Sequence, residues 1–339
     1  MKAILLGNGS REGVLESAVA LRPEIERIVD VALADFDNEA DLSNVSADVA
    51  IVFGGDGSIL RAVHQMGENQ IPVLAVNLGT LGFLSSVDPE GLVPFLRSSD
   101  FDNFVVREQL LLNCSIWRKD RRKKRREDDS PSSRLRSFAY PSDWRGDADD
   151  RRCVGNYLVV NEVTARGGPP FSILHIDLSI DGELVAAIRG DGLIIATPVG
   201  STAHSLSAGG PILRNELDAV VITPLSPHAL TFRSVVDSAA RVYELSAVSD
   251  DAFVVVDGFP PKQLLSGDRV VLRRAPFSFK MARVPENRYY HNLRGKLGWG
   301  VDSAASRRAM PGVTGIPRNS RSRTVLSASS LWRTVRRSS

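Results

Sequence analysis

Residues 49–60 read Val-Ala-Ile-Val-Phe-Gly-Gly-Asp-Gly-Ser-Ile-Leu. Five apolar residues without polar alternation predict a strand buried on both faces, as parallel sheets contain. The glycines that follow permit positive φ and bring backbone N–H groups close to a ligand. Ser58 is expected to cap a short helix carrying Ile59, Leu60 and Val63 on one face. A second apolar run at 72–76 makes the order strand, glycine turn, helix, strand. Working outward, 3–6 and 28–33 are further strand candidates, so residues 1–103 are expected to form an α/β domain around a Rossmann-like parallel sheet.

From Phe104 the texture changes to alternating, β-branched runs separated by turn signals. Residues 173–180, then Asp181-Gly182, then 183–188 form a β-hairpin signature, because Asp-Gly suits the positive φ angles of a type I′ turn. Strand candidates continue at 157–164, 193–197, 219–223, 242–248, 253–256 and 269–273. Residues 104–284 are therefore expected to form a second, mostly antiparallel β domain.

The chain of 339 residues carries 42 Lys and Arg against 40 Asp and Glu, a net charge of +2. That near-balance hides an asymmetry. Segment 118–152 holds 13 basic and 8 acidic residues, and tail 301–339 holds 8 Arg and one Asp. Taking +5 and +7 from +2 leaves the remainder at −10. Both basic segments are poor in periodic apolar residues, a composition that predicts disorder. Nucleic acid is one partner such clusters fit, and a solvated appendage is the blander reading. No apolar stretch approaches the roughly 20 residues a membrane span needs. Two cysteines, Cys114 and Cys153, make no disulfide framework or metal spacing, so no protein-held metal and a reducing cytoplasmic compartment are expected.

Three places have the composition of a ligand site. At Gly54-Gly55-Asp56-Gly57 a helix N-terminus behind glycines favours an anion such as phosphate. A carboxylate among phosphate-directed amides would repel that phosphate, so Asp56 needs its own role. It either holds a cation such as Mg²⁺ beside the phosphate or accepts a proton from an attacking hydroxyl. The alternative is a tight turn in which Asp56 only caps the helix. The second place, 77–84 (NLGTLGFL), is another glycine-rich loop at a strand end, where open α/β sheets bind ligands.

The third place runs through Arg189-Gly190-Asp191-Gly192, an apolar strand, and the small, hydroxylated stretch 199–211. Such residues build no core but let a planar ligand lie against backbone. Ser201 and His204 suggest a nucleophile pair, but Gly-x-Ser-x-Gly is absent and the spacing does not orient them for proton transfer. Upstream, Asn161-Glu162 interrupts an apolar strand and needs partners if buried.

In this order the motifs resemble those of NAD kinases, which phosphorylate the adenosine ribose 2′-hydroxyl of NAD. The resemblance is carried by GGDGSIL at 54–60, VNLGTLGFLS at 76–85, VNEV at 160–163, GDGLIIATPVGSTAHSLSAGGPIL at 190–213, ITPLSPHALTFRSVV at 222–236 and YYHNLRGKLGWG at 289–300. Gly-Gly-Asp-Gly alone is shared with lipid and sugar kinases, which form the alternative reading together with a non-catalytic nucleotide- or nucleic-acid-binding protein. The resemblance implies ATP as donor, Mg²⁺ assistance, and Asp56 as proton acceptor beside Gly57 at the nucleotide. It further implies Arg61, Asn161, Glu162, Arg189, Asp191, Thr202, Ala203, His204, Ser205, Leu206 and Ser207 as nucleotide contacts. The implied fold adds a β-sandwich, with 285–300 returning to the first domain, in a homodimer or homotetramer. Val199, His204 and Phe259 depart from the usual Thr, Tyr and Gln, which bears on contacts to adenine or nicotinamide.

Overall fold

The computed structural model describes residues 1–79, 82–84, 87–119, 151–169, 172–248, 250–282, 284 and 289–299. The first sheet has the order β2-β1-β3-β4-β18-β5. Its strands are β1 (Lys2–Gly7), β2 (Asp30–Asp35), β3 (Val49–Phe53), β4 (Val73–Val76), β5 (Val106–Gln109) and β18 (Phe279–Ala282). The pairings from β2 to β18 are parallel, and only β18 with β5 is antiparallel. Every residue of β3 and β4 is buried. One face packs on α1 (Val14–Ile25) and α3 (Pro89–Leu96), followed by the short α4 (Ser99–Asp102). The other face packs on α2 (Asp56–Met66). Burial on both faces is why these strands show no alternation.

Two antiparallel sheets follow. One has the order β10-β9-β14-β17-β6-β7, built from β6 (Leu112–Lys119), β7 (Arg151–Val159), β9 (Leu174–Ile180), β10 (Glu183–Gly190), β14 (Tyr243–Ala247) and β17 (Arg269–Arg274). The other has the order β13-β12-β11-β8-β15-β16, built from β8 (Glu162–Gly167), β11 (Gly192–Ala196), β12 (Ala219–Leu225), β13 (Val235–Ser238), β15 (Ala252–Val256) and β16 (Lys262–Leu264). Alternate residues of both sheets, such as Leu112, Ile176 and Leu245 against Val163, Ile195 and Val254, share one core. Each such side chain stabilises by about 1.5–3 kcal/mol on burial. The α/β sheet and β-sandwich expected from the sequence are both present. The remaining helices are α5 (His204–Ser207) and α6 (Tyr289–Leu297). Met1–Leu297 form one unit, and of the rest only Gly298 and Trp299 are described.

The turn at Asp181 (φ 50°) and Gly182 (φ 85°) is the expected hairpin between β9 and β10. Four expectations shift. The strand expected at 28–33 is β2, Asp30–Asp35, because the N–H groups of Ile28 and Val29 both bond the Ile25 carbonyl as α1 ends. The strand expected at 157–164 is two strands, β7 and β8, in different sheets. Ser58 does not cap α2, since Gly55 takes that position without a side-chain bond. The boundary expected at 103/104 does not follow the sheets, because β5 and β18 complete the first one.

The expected disordered segment 118–152 is strand at both ends. Arg118 pairs with Arg152 and Lys119 with Arg151, while the Arg118 guanidinium donates to Asp268 at 2.7–3.1 Å. Residues 120–150 and 300–339, to which the disorder and polyanion-binding readings attach, lie outside the described residues.

Candidate active site

At the end of β3 the chain turns through Gly54 at φ 130°, where a Cβ would run into the Ser58 hydroxyl, so only glycine fits there. The Gly54 N–H bonds the Val76 carbonyl at 2.9 Å and so ties this turn to the end of β4. α2 then starts at Asp56, leaving first-turn amides without intrahelical partners. Asp56 does not face them. Its carboxylate accepts from the N–H groups of Phe83 at 3.0 Å and Leu84 at 3.2 Å, in the second glycine-rich loop. This orientation removes the repulsion between carboxylate and phosphate that the sequence left to be explained.

A cation completes the arrangement. Lys296 Nζ lies 3.7 Å from Asp56 Oδ2 and 4.0 Å from the centroid of the Phe83 ring. Lys296 sits in the last turn of α6, which is anchored by the Tyr289 hydroxyl bonding the Leu213 carbonyl at 3.2 Å. Arg214 adds to that anchor, 5.1 and 5.5 Å from the rings of Tyr289 and Tyr290.

Asp56 is thus linked to two clefts, one through its chain neighbours Gly55 and Gly57 and the other through its partners Phe83 and Leu84. One, of about 470 Å³, runs past Gly55, Gly57 and Arg61 to Asn8, Arg11, Gly79 and Gly258. Its glycine backbone and two guanidinium groups suit an anion. The other is lined by Phe83 and Leu84, whose amides hold Asp56, and by Gln109, Thr202, Tyr289 and Asn292. Arg11 and Lys296 were not expected as site residues. Arg11 had a visible signal, a Gly-x-Gly-x-Arg stretch at the end of the first strand; Lys296 had none near Asp56 in sequence.

The third expected site is assembled around Asn161. Thr197, fully buried, donates from its hydroxyl to the Val160 carbonyl at 2.6 Å and from its N–H to the Asn161 carbonyl at 2.8 Å. Gly200 passes so close to the Asn161 carbonyl that a Cβ would overlap it. Glu162 is 8% exposed, and its Oε2 has no partner. Burial, helped by the charge of Asp257 and opposed in part by the His204 N–H, pushes its carboxyl up to about 8. At neutral pH Glu162 is therefore mostly protonated and offers an O–H to a ligand.

The run 202–207 divides. Thr202 lines the second cleft, and Ala203, His204 and Leu206 are half-buried, with Ser207 exposed. Burial and the charge of Arg166 hold the His204 ring below its usual range, so it is neutral at pH 7. Ser205 is withdrawn from the surface, fully buried and bonded to the Thr223 hydroxyl at 3.0 Å, so its side chain is structural and not a ligand contact. Ser201 is no nucleophile. It is fully buried, donating to the Pro198 carbonyl at 2.6 Å and accepting from the Leu213 N–H at 2.9 Å. Val199 packs in the core beside Val160 and leaves any ligand to others, whereas Phe259 does reach the first cleft. Arg189 and Asp191 are exposed and line neither cleft.

Among the described residues no cluster of three His, Cys, Asp or Glu could hold a metal. Asp56 already meets two N–H groups and a lysine, and Asp257, which lines the first cleft together with Glu12, is taken up by three N–H groups and His64, so these residues do not form a cage for Mg²⁺.

Two family models match the chain, the ATP-NAD kinase N-terminal domain over residues 16–97 and the ATP-NAD kinase C-terminal domain over 160–284. A NAD kinase of Rhodopirellula baltica is 42% identical over 300 residues, spanning 88% of this chain and 86% of that one. A NAD kinase of Geotalea daltonii is 32% identical over 256 residues, 75% of this chain and 79% of its own. Two solved structures share the fold. Yeast NADH kinase complexed with NADH superposes with a TM-score of 0.71 at 22% identity, covering 89% of each chain. A NAD kinase from Archaeoglobus fulgidus in complex with ATP gives 0.65 at 23%, covering 88% of this chain and 99% of that one.

Proposed function

Since the chain belongs to the NAD kinase family, we propose that it transfers the γ-phosphate of ATP to the adenosine ribose 2′-hydroxyl of NAD, with Asp56 accepting the hydroxyl proton. The observation that carries this reading is the position of Asp56. Its chain neighbours Gly55 and Gly57 line the cleft of Arg61 and Arg11, while its carboxylate is held by the loop that lines the other cleft. Phosphoryl transfer needs an in-line meeting of donor and acceptor rather than covalent help from the protein, so a base at the junction of two sites is the geometry required. The ATP complex of the Archaeoglobus enzyme supports ATP as donor, and the NADH complex of the yeast enzyme supports a nicotinamide dinucleotide as acceptor.

ATP phosphates are assigned to the first cleft, which Gly55, Gly57, Arg11 and Arg61 line. NAD is assigned to the side of the second cleft that Thr202 lines; Asn161, protonated Glu162, Ala203, His204, Leu206 and Ser207 are assigned to it on the family resemblance. The hydroxyl proton passes to Asp56 as the ribose oxygen attacks phosphorus, and the donor leaves as ADP. Lys296 and the two N–H groups keep the carboxylate aimed at that hydroxyl. Mg²⁺ enters as part of the donor, bound to its phosphates rather than caged by side chains.

Arg189 and Asp191, exposed and away from both clefts, are assigned to the site of a neighbouring copy in a homodimer or homotetramer. Cytoplasmic residence is assigned on the two free cysteines, Cys114 and Cys153. Purified protein with ATP, Mg²⁺ and NAD is expected to form NADP. Asp56→Asn should lower kcat by roughly 10²- to 10⁴-fold while NAD still binds. Unchanged turnover in that variant would remove Asp56 from the role of base.

A further inference from the structure

Asp257 follows the last residue of β15 with φ 47°, a left-handed conformation that residues other than glycine seldom hold without compensation. Its carboxylate supplies that compensation. The side chain is fully buried, and each oxygen meets two donors. Oδ1 accepts from the N–H groups of Asn161 at 2.8 Å and Glu162 at 3.0 Å. Oδ2 accepts from the Val160 N–H at 2.8 Å and lies 2.9 Å from His64 Nε2. The Asp257 N–H in turn donates to the Glu162 carbonyl at 3.0 Å. Three successive amides turned on one oxyanion form an anion-binding nest, filled here by the protein's own carboxylate.

Location gives this clamp its meaning. Val160 and Asn161 are the residues at which the chain leaves β7 in one sheet for β8 in the other, so sheet pairing cannot satisfy both their amides. Asp257 takes the amides while Thr197 takes the carbonyls, and the backbone between them has no freedom left. His64 comes from a different layer. It lies on α2, two turns beyond Asp56, with its ring edge-on to Phe259 at 4.8 Å.

The geometry points to Asp257 and His64 as positioning residues of the transfer reaction. Asp257 fixes the backbone from which Asn161 and Glu162 reach the acceptor. His64 locks that clamp to the helix whose first residue is Asp56. The spacing between base and acceptor is thereby set through one buried carboxylate, and a displacement of about 1 Å there costs on the order of 10²-fold in rate. This assignment rests on the roles given above to Asp56, Asn161 and Glu162.

Steady-state kinetics on the full-length protein, with NAD and ATP varied separately, tests it. His64→Leu removes the hydrogen bond to Oδ2 and is expected to lower kcat roughly tenfold, with both KM values within about twofold of wild type. His64→Gln keeps an N–H within reach of Oδ2 and restores most of the lost turnover. Asp257→Asn turns an NH₂ group on the amides and raises KM for NAD roughly tenfold, more than it raises KM for ATP, whose cleft Asp257 also borders. A role confined to stability lowers Tm without producing this split between kcat and the two KM values. Folded variants whose kcat and KM all stay within about twofold of wild type overturn the assignment. If Asp257→Asn yields no folded protein, the two His64 variants decide it. Wild-type protein that forms no NADP refutes the underlying reading, and the inference with it, so the two failures are told apart by the control.

Discussion

Glu162→Gln should make the protein more stable, by an amount that grows with pH. The folded chain holds the Glu162 carboxyl at about 8, against an ordinary value of 4.5, chiefly because burial disfavours its charge. Below 4.5 the carboxyl is protonated in both states and costs nothing. Between 4.5 and 8 the unfolded chain releases the proton while the folded one keeps it, so stability falls as pH rises, and above 8 the loss is complete. At about 1.4 kcal/mol per pH unit the penalty reaches roughly 3 kcal/mol at pH 7 and roughly 5 kcal/mol above pH 8. Glutamine mimics the neutral acid without that penalty. Thermal or urea unfolding of the ligand-free proteins at pH 5, 7 and 8.5 should show near-equal stability at the first. At pH 7 the variant should melt at least about 5 °C higher, given 2–4 °C per kcal/mol for chains of this order. A difference that stays flat from pH 5 to 8.5 would refute the burial argument.

Lys296→Met removes the cation 3.7 Å from Asp56 and should lower kcat by roughly ten- to a hundredfold with little change in KM for NAD; turnover within about twofold of wild type would deprive Lys296 of its role. If Arg189 serves a neighbouring copy, Asp56→Asn and Arg189→Ala proteins, each inactive alone, should regain about a quarter of wild-type turnover when mixed as dimers, and no recovery after verified subunit exchange would rule out the shared site.

The strand, turn and helix at 49–66 were legible because uninterrupted apolar residues and glycines are local signals. Asn161 and Glu162 were singled out for a reason the structure sustains, since polar residues in an apolar run must find partners, and Glu162 Oε2 is still without one. The switch between sheets at Val160 was invisible, because the strand-forming residues on either side of Asn161 and Glu162 read as one run and periodicity does not report which sheet a strand joins. Ser205 looked like its hydroxylated neighbours until Thr223 took its side chain inward. The direction of Asp56 was beyond any local reading. Its partners are 27 and 28 residues away at Phe83 and Leu84, and far along the chain at Lys296.

The place of β18 in the first sheet governs when this protein acquires its site during synthesis. β4 and β5 cannot become neighbours of β18 until Phe279–Ala282 have been made, roughly 170 residues after β5 ends. At about 5–20 residues per second the nascent chain carries two open sheet edges for roughly 10 to 30 s, an interval in which they invite pairing with other chains. The sandwich, whose strands are complete by Arg274, can close within that interval. Lys296 follows last, so a chain released before α6 is synthesised holds both glycine loops and Asp56 but lacks the cation that aims the carboxylate. A product truncated before α6 is thereby expected to turn over at least roughly ten- to a hundredfold more slowly than the full chain, so the order of synthesis delays full activity to the end.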